Sequence, residues 1–546
     1  MKRKAVAAVL TAVMVASMFT GCGSDNGSSS AKSASAASAA SAANDTVDED
    51  GKVNGIMYQE GLPLVDEGDY TFSIFCDDSS ESGEFIMLDE FKKQTNVDVD
   101  LKIYPYETAT ERLNLDLNSG DYADVIGGWT LSDNAILTYG VNQGVFIPLE
   151  DYFEKYCPNI SAILDLPGVR EKMTAPDGHI YTIPYVCADS TVGYSPYINT
   201  KWLENVGMSM PTTTDEFEAV LKAFKEQDAN GNGDASDEIP FSTDPNNKHI
   251  EAMAGYFGLP MNKLGIAIQN EKVVYGGVSN TYREFLSWFH KLYADGLVDV
   301  ELYTQDSSTW EGKGNQDLYG VSIAYGSNEF TGIPAAEERG DFDFMPVLNT
   351  DKDGIWLRDT EGFSVYRTQA VITNKAEHPE IICRWFDNAF ALENGIGCNR
   401  GPVGVIVNKE DDGYHAIDTT TLSEEDQEKY SWGNLWPQSL PKYLPADFEF
   451  VEEHPMYDEK KATEEAYEAN LTKEIIPSYW IDLDKIDTFS DTNTAIKDFF
   501  EQQQAQFVCG ELDIDNDADW QAYVDGMYSL GLEDWVATQG IEEIAK

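Results

Sequence analysis

Six carboxylate and amide side chains between residues 228 and 238 form the densest cluster of potential ligands in the chain. Asp228, Asn230 and Asn232 alternate, Gly231 and Gly233 permit sharp turns, and Asp234, Asp237 and Glu238 follow. A hard cation such as calcium takes six to eight oxygens, and alternate residues on a tightly curled loop direct theirs inward. An EF-hand loop beginning at Asp228 would place its closing bidentate Glu at position 239, which is Ile239, so Glu238 or Asp237 must close the shell. A solvated Asx-Gly turn is the alternative; the expected cofactor is calcium in a structural role.

Catalytic constellations do not occur in the sequence. It has no Gly-x-Ser-x-Gly elbow, no Walker loop, no Gly-x-Gly-x-x-Gly and no His-Glu-x-x-His, and its six histidines are isolated from one another. Two carboxylates could serve glycoside hydrolysis, but among 96 acidic residues a pair carries no information.

Aromatic residues in polar surroundings point instead to binding. Sugars present flat apolar C–H faces edged with hydroxyls, which suit aromatic platforms flanked by acids, amides and arginines. Trp129, Trp310, Trp356, Trp432 and Trp436 stand in Gly-rich or polar contexts, and Asp78, Tyr185, Tyr325, Glu329, Asn399 and Arg400 complete the candidate set. Any one of these tryptophans could equally fill a core.

The elements that would position them begin with alternating strand and helix. Strands are expected at 70–76, 97–104 and 122–127, and helices at 83–95 and 108–118, an order that implies an α/β lobe with a doubly wound, largely parallel sheet. Ligands bind beyond the carboxyl ends of such strands, where Asp77-Asp78, Tyr104 to Tyr106 and Trp129 fall. Residues 184–199 read as an extended crossing to a second, mainly helical lobe over 200–345. There, Thr213 and Glu216 have capping-box spacing, and Phe217, Val220, Leu221 and Phe224 form one apolar helix face. Strand-like stretches at 341–346 and 362–373 would return the chain to the first lobe, and the last hundred residues read as mostly helical. The resulting boundaries are 66–190 with about 346–410 for the first lobe, and 191–345 with about 411–546 for the second.

The stretch 181–240 resembles one family. Tyr181-Thr-Ile-Pro184, Ile198-Asn-Thr-Lys-Trp202, the Pro-Thr-Thr-Thr-Asp-Glu-Phe helix start and the Asp-Asn-Asn loop ending in Asp-Glu-Ile-Pro are similar to large extracellular solute-binding lipoproteins of carbohydrate ABC importers, in the branch that includes alginate-oligosaccharide-binding proteins. The resemblance implies a type II periplasmic-binding-protein-like fold, two hinged lobes around a central cleft, and a structural calcium in the 228–238 loop. By position, Asp228, Asn230 and Asn232 are side-chain ligands, Asp234 offers a carbonyl, and Asp237 and Glu238 finish. One extra residue before the Asp-Glu pair leaves the division among the last three open. The implied partners are an oligosaccharide and an ABC-importer permease, with capture by cleft closure.

The amino-terminal segment fits an anchored receptor. Lys2, Arg3 and Lys4 precede an apolar core over 5–19, and Thr20-Gly21-Cys22 resembles a lipobox with Phe19 where Leu is usual, making Cys22 the lipidated residue. An ordinary signal peptide beside a free Cys is the alternative. Residues 22–65 are expected to be a flexible tether, because 23–50 is rich in Ser, Ala, Gly and Asn. The composition, with 37 basic against 96 acidic residues and net charge −59, excludes nucleic acid and disfavours polyanions. Six further cysteines show no Cys-x-x-Cys spacing, leaving disulfides and buried thiols both open. The expectation is therefore a monomeric, lipid-anchored receptor on the extracellular face of a bacterial membrane and no enzyme. Binding of peptide or another polar solute, a surface glycosidase, and a structural surface protein are the alternatives.

Overall fold

The computed structural model describes residues 45–78, 83–244, 250–332, 341–417, 419–445, 448, 450–451 and 455–545. The signal segment, the lipidation residue Cys22 and the tether up to residue 44 lie outside these.

Nine strands build the two main sheets: β1 (Tyr70–Asp77), β2 (Val97–Tyr104), β3 (Val125–Gly127), β4 (Thr182–Ala188), β5 (Ser195–Asn199), β6 (Ile239–Thr243), β7 (Tyr319–Ala324), β8 (Phe342–Phe344) and β9 (Phe363–Ile372). The first sheet has the order β2-β1-β3-β9-β4. Its members all run one way except β9, which pairs antiparallel with both neighbours. Both faces of this sheet are covered, and side-chain alternation explains how. Phe72, Ile74 and Cys76 of β1, with Val125, Ala370 and Ile372, point into one apolar core. Phe75, Ile126 and Val371 point into the other. That is the doubly wound arrangement expected from the sequence.

The second sheet has the order β8-β5-β7-β6, with β6 parallel to β7. Its largest core gathers Trp202, Phe217, Phe224, Phe241, Phe285 and Trp535. Helix Thr214–Glu226 supplies the predicted face, with Phe217, Val220, Leu221 and Phe224 all buried. Thr213 caps it by accepting the Glu216 N–H at 3.2 Å. The return arm differs by one residue from the expected box, since Glu216 Oε2 accepts from the Thr212 N–H and hydroxyl, each at 2.8 Å. The region is also less helical than expected, because five of its segments are strands.

Several boundaries move. Val53, Met57, Leu64 and Val65 are buried in the first core, and Arg384 donates to the carbonyls of Tyr58, Gln59 and Gly61. The tether expected to reach residue 65 is thus folded from about residue 45, because these side chains supply apolar anchors that 23–44 lack. Strand β8 pairs with β5 and belongs to the second sheet, and Leu348 and Trp356 lie in the second core, so the return drawn at 346 comes later, just before β9. Trp436 and Leu440 pack in the first core, beyond the limit drawn at 410. The chain passes between the lobes at 189–194, again at 357–362, and a third time after Tyr443. All six described cysteines are free thiols.

Candidate functional site

The register of each sheet brings one set of strand ends together. In the first, Cys76 pairs with Gly127 and Ala188 with Phe363, so the segments leaving β1, β3 and β4 and entering β9 share one rim. In the second, Ala324 pairs with Ser195 and Ile323 with Thr243, which places Tyr194, Asp244 and Tyr325 on one rim. Such carboxyl-end crevices are where open α/β sheets bind ligands.

On the first rim, Asp77 shapes the Trp129 loop. Its two carboxylate oxygens accept the N–H groups of Trp129 at 3.0 Å and Thr130 at 2.6 Å. Gly128 makes this possible, because a Cβ there would meet Asp77 Oδ1 at 2.3 Å and its φ is +136°. Burial raises the Asp77 pKa against the pull of those N–H groups. The Trp129 indole is left 46% exposed, and Tyr366 meets it edge-on with centroids 5.2 Å apart. Tyr185 lies 5.6 Å from Tyr366 and closes an aromatic floor.

On the second rim, Tyr194 and Tyr325 pack edge-to-face at 6.1 Å. Glu329 Oε2 accepts the Tyr325 N–H at 2.9 Å. Burial, with Asp244 and Glu311 nearby, raises the Glu329 pKa. Beneath Tyr325, Lys460 donates to the carbonyls of Gly193 at 2.5 Å and Tyr325 at 2.7 Å, with its Nζ 4.0 Å from the Tyr325 ring centroid. Burial brings its pKa down to about 8. The two rims meet at Asp189, at the start of the first crossing, whose carboxylate accepts from Tyr325, Ser364 and Tyr366.

A second exposed indole sits on the first lobe. Trp432 is 55% exposed, and the Lys442 ammonium lies 5.6 Å from its ring. Gln438 ties the loop down by donating to the carbonyls of Trp432 and Trp436 and accepting from Lys442 at 2.7 Å. Asp78 is buried and accepts the Gln438 N–H. Arg400 donates to the Asn399 carbonyl and stands over the Phe450 ring.

Three tryptophans expected at the cleft are core residues instead. Trp310 is buried and donates to Ser322 Oγ at 3.1 Å. Trp356 packs against Tyr256 and Tyr467. Trp436 stacks on Trp385 at 5.6 Å and donates to the Leu440 carbonyl. Polar neighbours in sequence misled here, because the helix Ser307–Asn315 at Trp310 and local turns at Trp356 and Trp436 carried the indoles inward. Sequence reasoning placed Asp77 at a strand end without giving it a role, and missed Asp189, Tyr194, Tyr366, Gln438 and Lys460. Asp77 and Asp189 carry a usable signal, an acid at a strand end. The others belong to segments remote in sequence.

The 228–238 loop curls as its spacing requires. Gly231 and Gly233 both have positive φ. Gly233 N–H donates to Asp228 Oδ2, Asn232 N–H to Asn230 Oδ1 and Asp234 N–H to Asn232 Oδ1. Asp237 accepts from the side-chain amides of Asn230 and Asn232. Glu238 Oε1 accepts the Ala229 N–H at 2.9 Å. Asp228 Oδ1 and Glu238 Oε2 remain buried with no hydrogen-bond partner. Burial raises the Glu238 pKa. Two orphaned carboxylate oxygens in a loop lined with further oxygens fit a hard cation, which would satisfy both.

The chain matches the family described as bacterial extracellular solute-binding protein over residues 78–395, more than half its length. FusA of Streptococcus pneumoniae, a fructooligosaccharide ABC transporter substrate-binding protein, is 31% identical over 411 residues, 73% of this chain and 70% of that one. Lipoprotein LipO of Bacillus subtilis is 29% identical over 272 residues, 48% of this chain and 51% of that one. The solved structure of FusA in complex with kestose superposes with a TM-score of 0.75 at 26% identity, covering 86% of this chain and 98% of that one. An EF-hand mutant of FusA in complex with fructo-nystose gives 0.74 at 27% identity over the same shares, 86% and 98%. The two lobes, the strand-end rims and these matches agree: the chain belongs to the bacterial extracellular solute-binding proteins, a family of receptors rather than catalysts.

Proposed function

We propose that this protein captures an oligosaccharide in the cleft between its lobes and delivers it to the permease of an ABC importer, held at the outer face of the membrane by lipid on Cys22. The observation that carries the reading is the meeting of two aromatic rims, Trp129, Tyr185 and Tyr366 from one lobe and Tyr194 and Tyr325 from the other. Flat apolar rings edged by hydroxyls and carboxylates match the alternating C–H faces and hydroxyls of a sugar. FusA, which shares the fold, is crystallised with kestose, so short fructooligosaccharides are the first ligands to try. Tyr325 and Glu329 are the polar contacts, with Asp78 and Arg400 supporting the Trp432 side. Monomeric action follows from a site complete within one chain.

Calcium in the 228–238 loop is a structural ion. Asp228 and Glu238 hold it through the oxygens that lack protein partners, with Asn230, Asn232 and Asp234 completing the shell and Asp237 orienting the two amides. The ion cross-links the end of helix Thr214–Glu226 to the start of β6.

The test is calorimetric titration and thermal shift of residues 45–546 with kestose, nystose and a panel of gluco-, manno- and uronic oligosaccharides, with product analysis after overnight incubation. Saturable binding with the sugar recovered intact is the expected result. Cleavage of the sugar would replace the reading with a glycosidase. Binding of peptides but of no sugar would move the receptor to another solute class.

A further inference from the structure

We infer that Asp189 is a positioning residue that ties the aromatic rims of the two lobes to one carboxylate, so that ligand capture and lobe geometry form a single equilibrium; this rests on the receptor reading above. Asp189 follows β4 and opens the first crossing. Its Oδ1 accepts the Tyr325 hydroxyl at 3.1 Å and the Ser190 N–H at 2.8 Å. Its Oδ2 accepts the Ser364 hydroxyl at 2.5 Å and the Tyr366 hydroxyl at 3.3 Å. Ser364 and Tyr366 belong to β9 of the first sheet, and Tyr325 follows β7 of the second. One side chain thus collects hydroxyls from both lobes.

The backbone around it is equally committed. Asp189 N–H donates to the Gly362 carbonyl at 3.1 Å, and the Thr360 hydroxyl donates to the Ser190 carbonyl at 2.9 Å. The first and second crossings are therefore laced side by side where the carboxylate sits. From the second lobe, Lys460 grips the Gly193 and Tyr325 carbonyls, so Tyr325 is held by its main chain as well as by its hydroxyl. A change in lobe angle cannot leave all the Asp189 bonds intact, because their partners ride on different sheets. Nor can it leave Tyr366 and Tyr325 in place, because the same bonds orient both rings. A ligand that stacks on either ring would act on the lobe angle through Asp189, which is the differential contact a closure mechanism requires.

The test uses Asp189→Asn and Tyr325→Phe, both close to isosteric, and the double variant. Tyr325→Phe removes one hydroxyl and keeps the ring over Lys460. Double electron–electron resonance between spin labels at Lys93→Cys and Glu226→Cys, with Cys509→Ser to remove the exposed thiol, reads the lobe separation without ligand. Titration with kestose reads affinity. Each single variant should broaden the ligand-free distance distribution and weaken kestose binding about three- to tenfold, the net worth of one such hydrogen bond. The double variant should be no worse than Asp189→Asn alone. Unchanged distances, unchanged affinity beside broadened distances, or a fall in melting temperature with both readouts intact would each overturn the inference. If the unsubstituted protein binds no sugar, the receptor reading falls, and the ligand-free distances still decide whether Asp189 ties the lobes.

Discussion

The Asp78 carboxylate accepts the Gln438 backbone N–H at 2.7 Å across 360 residues of chain. Asp77, its neighbour, accepts from the Trp129 loop. Two consecutive acids at the end of β1 thus each seat one loop that carries an exposed indole. Asp78→Ala leaves a part-buried N–H without its acceptor, at a cost of about 1–3 kcal/mol, while Asp78→Asn keeps an acceptor and should cost under half as much. Urea unfolding measures both. Sugar affinity should fall with the alanine variant, because Gln438 and its hold on the Trp432 carbonyl loosen together.

Trp129 and Trp356 separate platform from core. Trp129 is 46% exposed and Trp356 1%. Trp129→Ala should leave the urea midpoint nearly unchanged and weaken oligosaccharide binding about tenfold or more. Trp356→Ala should cost about 3–5 kcal/mol of stability through the cavity it leaves. Equal loss of stability in both would deny Trp129 a binding role.

Removing the loop cation should lower the melting temperature of the whole second lobe. A ligand of the native state at a hundredfold excess over its Kd contributes about 2.7 kcal/mol, which a chelator would withdraw. Glu238→Gln should reduce the chelator effect sharply, since it neutralises one of the two orphaned carboxylates. Asp237→Asn should reduce it less, because Asp237 holds Asn230 and Asn232. A melting temperature indifferent to chelator would leave the loop a turn.

Asp359 gives the hinge a pH signature. The protein packed around it raises its carboxyl to about 6, against the pull of the Gly193 N–H and of Lys460, although the residue itself keeps an exposed surface. With the folded pKa above the unfolded one, the group costs stability above pH 6, and the cost fades as pH falls from about 6 towards the usual carboxylate range. Asp359→Asn should therefore raise the melting temperature at pH 7, with the advantage shrinking steadily below pH 6. The test is a comparison of melting curves from pH 4 to 8; an advantage independent of pH would show that folding does not shift the Asp359 pKa.

Local signals suffice for the parts of the fold that depend on near neighbours in sequence. The capping hydroxyl of Thr213, the apolar stripe from Phe217 to Phe224, the alternation in β1 and the curl at Gly231 and Gly233 depend on neighbours a few residues away. The site was only half legible. Trp129 stood out because it follows a strand end, as Tyr325 does, whereas Tyr185 lies within β4. Trp310, Trp356 and Trp436 had equally polar neighbours in sequence and are buried, since exposure depends on what packs from remote segments. Tyr366, Gln438 and Lys460 gave no local sign at all.

By itself, then, the sequence determined the α/β alternation of the first lobe, the extended crossing after β4, the oxygen-rich loop and the absence of catalytic motifs. All of these follow from periodicity, capping and turn chemistry over short spans. Only the tertiary structure decided that β9 enters the first sheet against the run of its neighbours, that residues 52–65 fold onto that lobe, and that Asp189 receives Ser364, Tyr366 and Tyr325 together. Those outcomes turn on which distant surfaces bury one another and on where three chain crossings come to lie. Side chains more than a hundred residues apart meet only where the sheets and the crossings bring their segments together.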